Sequence, residues 1–125
     1  MKQLTKAEEQ IMQYLWGLEK AFLKDLVESF PEPRPAYTTI STVIRVLVKK
    51  GFIGFNTYGK IHEYYPLLNK EDYLKDQFDE VAQDYFSGSM AKMASFLTRD
   101  TDLEIDDLEE IRKIIDEQIS KRKND

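Results

Sequence analysis

Between residues 37 and 51 the chain reads YTTISTVIRVLVKKG, and its polar side chains are of types that can read a nucleic acid. Thr38, Thr39, Ser41 and Thr42 offer hydroxyls, short hydrogen-bonding groups that tolerate several partners. Arg45 can make a bidentate contact to guanine, and Lys49 can meet a phosphate. Over residues 33–62 the charged side chains are Arg34, Arg45, Lys49, Lys50 and Lys60, with no carboxylate among them. Such a surface approaches a polyanion without repulsion. The plainer use of the same residues is a solvated helix face with threonines chosen for capping.

Other chemistry finds less support. His62 is the single histidine, beside Glu63 on an expected strand, and with no cysteine or second histidine nearby it reads as a surface residue of a hairpin. Ser87 and Ser89 flank Gly88 with no partner base in view, so they are expected to make a turn and cap the next helix. Asp106, Asp107, Glu109 and Glu110 lack the spacing of a calcium loop and suit the start of a helix. The absence of cysteine excludes disulfides, thiolate metal sites and a cysteine nucleophile. The sequence therefore predicts no enzyme, no catalytic residue, no metal, no cofactor and no small-molecule ligand.

The formal net charge of -5 conceals a division. Residues 1–67 carry nine Lys/Arg against seven Asp/Glu, a net of +2, whereas residues 68–125 carry nine against sixteen, a net of -7. The basic excess thus sits with the hydroxyl-rich segment. The N-terminus is charged at once, and no apolar run approaches the ~20 residues of a membrane span, so a cytoplasmic location is expected.

Three helices and a hairpin must position these residues. LTKAEEQIMQYLWGL opens with Thr5 and Glu8 spaced as a capping box and places Ala7, Ile11, Leu15 and Leu18 on one stripe. AFLKDLVESF sets Phe22 or Leu23, Leu26, Val27 and Phe30 at helical spacing, and PEPRP stops it. In the third segment β-branched content favours a strand, but Ile40, Val43, Ile44, Leu47 and Val48 recur at helical spacing, with Gly51 as a stop. Thr38 or Thr39 is expected to cap this helix. FIGFNT and IHEYYPL then alternate around Tyr58-Gly59-Lys60, which predicts a two-stranded hairpin.

That order is a winged helix, whose third helix can enter a major groove while the hairpin tip lies along the backbone. Three more amphipathic helices follow. KEDYLKDQFDEVAQDYF aligns Tyr73 or Leu74, Phe78, Val81 or Ala82 and Tyr85; MAKMASFL is short and apolar; the last carries Leu108, Ile111, Ile115 and Ile119 on a seam. The expected fold is mainly α with a small β-hairpin: a winged helix-turn-helix domain over residues 1–68, then a C-terminal helical dimerisation region over residues 69–125. Its interface is expected to use Tyr73, Phe78, Phe96, Leu108, Ile111 and Ile115. A back-packed subdomain in a monomer is the alternative.

LTKAEEQIMQYLW, TTISTVIRVLVKKGFI, GKIHEYYPL, YFSGSMAKMASFL and DLEIDDLEEIRKIID, in this order, resemble the penicillinase-repressor family. The resemblance implies a homodimer that represses genes and binds double-stranded DNA through helix three and the wing; the two-fold symmetry of a dimer predicts a palindromic operator. It also implies control by a membrane sensor-protease that leads to cutting within the dimerisation region. Thr39 and Thr42 fall on threonines of the family's recognition helix, and Lys49, Lys50 and Gly51 on its Lys-Lys-Gly ending. The family's late arginine falls on Val46, with Arg45 one residue earlier, so the operator sequence does not transfer. Where relatives have an Asn-Phe scissile bond, this chain has Ser95-Phe96. The copper-responsive branch uses C-terminal cysteine pairs, absent here. The competing expectation is a winged-helix protein-protein interaction module that docks an acidic partner.

Overall fold

In the computed structural model, which describes residues 4–125, the first helix, α1 (Lys6–Leu18), begins at the expected capping box. The Glu8 amide donates to Thr5 Oγ1 at 3.1 Å and the Thr5 amide to Glu8 Oε1 at 2.9 Å. Two amides that the helix leaves without partners are thereby satisfied, which stabilises α1 by about 1 kcal/mol. The buried stripe is shifted from the expected one. Ile11 and Leu15 are buried, but Glu8 and Met12 join them in place of Ala7 and Leu18, which are exposed.

A strand of two residues, β1 (Ala21–Phe22), leads into α2 (Leu23–Ser29), whose Asp25 carboxylate accepts from the Phe22 amide at 2.9 Å. Leu26 and Val27 are buried, and Phe30 ends the helix with its ring edge-on to Tyr14. The third helix, α3 (Tyr37–Lys49), buries Ile40, Ile44 and Leu47. Helical spacing thus overrides β-branched propensity, because core packing stabilises the helix by more than propensity costs it.

Neither Thr38 nor Thr39 caps α3. Its N-cap is Ala36, with no side-chain hydrogen bond, since the extended chain leaving Pro35 enters the helix one residue before the threonines. At the other end the Gly51 amide reaches the Val48 carbonyl at 3.0 Å and the Phe52 amide the Leu47 carbonyl at 2.9 Å. This paired closure needs a left-handed residue, and Gly51 has φ +82.

The hairpin is β2 (Ile53–Tyr58) and β3 (Ile61–Pro66), with Tyr58 opposite Ile61. Gly59, at φ +64, supplies the turn. The expected two-stranded sheet has three strands in the order β1-β3-β2, Ala21 pairing with Tyr64 and Phe22 with Glu63. The fold of this first unit is a winged helix-turn-helix.

The fourth helix, α4 (Lys70–Phe86), starts with the winged helix and runs beyond it. Trp16 Nε1 donates to the Leu68 carbonyl at 2.8 Å, and the Trp16 and Tyr73 rings lie 5.7 Å apart. These contacts hold the first turns of α4 to the first unit, which ends at Gln77 rather than at residue 68. The second unit, Phe78–Asp125, holds the rest of α4, α5 (Met90–Arg99) and α6 (Ile105–Lys123). Ser89 caps α5 as expected, accepting from the Lys92 amide at 3.1 Å. Within this unit Ala82 alone is buried. No described helix is long and apolar enough to cross a membrane.

Candidate nucleic-acid interface

With Ile40, Ile44 and Leu47 turned to the core, a helix at about 100° per residue places Thr38, Thr42 and Lys49 in the middle of the outward face of α3. All three are exposed. Arg45 and Ser41 lie on the side of the wing, where they line a cleft with Phe55, His62 and Tyr64. Thr39 and Val46 lie on the other side; Thr39 borders a cleft formed with Ala7, Phe30 and the proline segment. Thr42 Oγ1 donates to the Thr38 carbonyl at 2.8 Å, so its hydrogen is committed to its own helix.

The cations of the acid-free span divide into two groups. Arg34 pairs with Glu32 at 3.0 Å and Lys50 with Glu8 at 2.9 Å, both acids lying just outside that span or far from it in sequence. Arg45, Lys49 and Lys60 have no carboxylate partner among the described residues. The available positive charge of this span is therefore on α3 and at the tip of the wing. Burial holds the Tyr64 phenol above its ordinary value, and the nearby Arg45 guanidinium offsets only part of that rise.

Lys60 follows Gly59 at the turn and shares a cleft with Tyr37 at the start of α3 and with Lys24 on α2. Lys24 escapes notice in the sequence because it precedes the acid-free span and sits beside Asp25; only the fold brings it to Lys60. His62 is half-exposed on the wing, its ring 4.2 Å from that of Phe55 and its Nδ1 3.0 Å from Thr57 Oγ1. It belongs to no cluster of metal-ligating residues among those described.

The remaining expected site residues are placed elsewhere. Tyr73, expected at a subunit interface, is 5 % exposed within the first unit, and its hydroxyl donates to Glu9 at 2.8 Å. Its ring is already enclosed within the first unit and offers almost no surface to a second copy. Phe78, Phe96 and Ile115 are exposed, while Leu108 and Ile111 are half-buried. Ser95 and Phe96 lie inside α5, both exposed, with the Phe96 ring 5.7 Å from that of Phe86.

Residues 4–117 match the family described as penicillinase repressor. Over 118 residues the chain is 29 % identical to the methicillin resistance regulatory protein MecI of Mammaliicoccus sciuri, a match that covers 93 % of this chain and 95 % of the relative. It is 20 % identical over 122 residues to the penicillinase repressor of Bacillus licheniformis, covering 97 % and 95 %. The solution structure of the DNA binding domain of the repressor BlaI shares the fold, with a TM-score of 0.51 at 24 % identity over 57 % of this chain and 88 % of that domain.

Proposed function

The chain belongs to the penicillinase repressor family, a family of transcriptional repressors rather than enzymes, and from that premise we propose that it is a dimeric, sequence-specific repressor occupying a palindromic operator in double-stranded DNA. The observation that carries this reading is the outward face of α3, where Thr38, Thr39, Thr42, Arg45 and Lys49 are exposed together without a carboxylate among them. Such a helix can enter a major groove, with Arg45 and the hydroxyls at base edges and Lys49 at phosphate. Lys60 on the wing, with Lys24 near it, would meet the flanking backbone.

Dimerisation is assigned to the second unit. Phe78, Val81, Tyr85, Phe96, Ile114, Ile115 and Ile119 are exposed there, and a unit that buries only Ala82 gains stability by covering such side chains with a second copy. A two-fold dimer would present two α3 helices to half-sites about one DNA turn apart.

Release by proteolysis at Ser95–Phe96, set off by a membrane sensor-protease, completes the reading. Proteases take extended substrate, and α5 is a ten-residue helix with no buried residue, so it can open locally at small cost. The test is a reporter driven by the DNA upstream of this chain's own gene. Expression of the protein should lower its transcription several-fold, and unchanged transcription would overturn the reading. Cleavage is tested separately by mapping the fragments that accumulate on induction.

A further inference from the structure

The geometry points to Val46 as a residue that reads the 5-methyl group of thymine, an assignment that rests on the DNA-binding reading above and deepens it. Val46 is 40 % exposed, although the core side of α3 is filled by Ile40, Ile44 and Leu47. A lone exposed valine needs no explanation on most surfaces. This one stands on the outward half of the recognition helix, four residues after Thr42 and three before Lys49.

Thr39, Thr42 and Val46 fall within about 60° of one another around the helix and form one strip along it. The hydroxyl hydrogen of Thr42 is committed to the Thr38 carbonyl, leaving a methyl and the two oxygen lone pairs for any partner. Arg45 lies on the opposite flank, against the wing. The face therefore has a hydrogen-bonding flank at Arg45 and a flank rich in methyl groups at Val46.

Only one group in the major groove matches the second flank. Thymine presents a C5-methyl, whereas guanine, adenine and cytosine present donors and acceptors there. Val46 cannot hydrogen-bond, so beside a polar base edge it would displace water without replacing its hydrogen bonds. Beside a thymine methyl both groups leave water together, and dispersion adds to the gain.

The test uses the full chain and a random-sequence duplex pool. The enriched site is remade with each thymine replaced in turn by deoxyuridine, which removes the methyl and nothing else. At one position in each half-site deoxyuridine should weaken wild-type binding roughly threefold to tenfold, the size expected for one buried methyl contact. In Val46→Ala that penalty should shrink to less than about twofold, and Val46→Thr, which keeps a methyl, should retain most of it. Thermal melting of each variant confirms folding. A site with no deoxyuridine penalty anywhere, or a full penalty kept by Val46→Ala, would overturn the assignment while leaving DNA binding intact. Failure of the pool to enrich any sequence would overturn the DNA-binding reading itself, and this assignment with it.

Discussion

The carboxylate of Glu8 and the ammonium of Lys50 meet at 2.9 Å, tying the first turn of α1 to the residue that ends α3. Glu8 is 4 % exposed, and the same carboxylate also accepts from the Thr5 amide. Burial alone pushes the Glu8 carboxyl up, but its hydrogen bonds with Lys50 and Thr5 and the Lys50 charge hold it below its ordinary value of 4.5. One carboxylate thus serves as a helix cap, through Thr5, and as a brace, through Lys50, for the helix that would read DNA.

Lys50→Met leaves a buried carboxylate without its cation. Because the Lys50 side chain is 39 % exposed, solvent screens part of the interaction, and the expected loss is about 1–2 kcal/mol near neutral pH. The folded carboxyl value is depressed, so this stabilisation is present above the unfolded value and fades as pH falls through the folded one. Chemical denaturation of wild type and variant at pH 7 and pH 3 should show the difference narrowing in acid. A difference that is the same at both pH values would exclude the ion pair as its source.

Arg45→Ala should relax preference at one base pair of each half-site by about 1–3 kcal/mol and change binding to random DNA far less. Affinities for a panel of single-base operator variants measure both. Uniform weakening across the panel, with no position relaxed, would instead place Arg45 at a phosphate rather than a base edge.

Binding should weaken steeply with salt, since Lys49 and Lys60 would release counterions from phosphates. Lys49→Ala and Lys60→Ala should each reduce the slope of log affinity against log salt by about 1. Lys24→Ala should act alike if α2 shares in the backbone contact. Slopes equal to that of wild type would remove these lysines from the interface.

Ile115→Asp places a charge on the exposed apolar seam of α6 and should give a monomer in sedimentation equilibrium. Operator affinity should then fall at least about tenfold, as two linked half-sites become independent. The melting of the first unit, which ends at Gln77, should not change. A dimer that survives this substitution would move the interface off α6.

Features set by neighbouring residues are legible in the sequence. Thr5 and Glu8 announce α1, Gly51 and Gly59 mark a helix end and a turn, and helical spacing identifies α3 against its propensity. Features set by distant partners are not. Two residues, Ala21 and Phe22, carry no period, and they become a strand only because β3 lies beside them. Tyr73 continues the apolar stripe of α4, and spacing cannot say that Trp16 will claim it. Lys50 reads as a free cation until Glu8, 42 residues earlier, folds against it. Of the site, the exposed residues of α3 are readable from their types and period. The separation of Arg45 from Val46 onto two flanks needs the wing in place to give each flank its meaning.

Sequence-specific occupancy of DNA is tested most directly by anisotropy titration of the full chain at about 0.15 M salt. The probes are a duplex from upstream of its own gene and a shuffled duplex of the same composition. The upstream duplex should bind about a thousandfold or more tightly than the shuffled one. Equal affinity for the two would contradict a sequence-specific repressor.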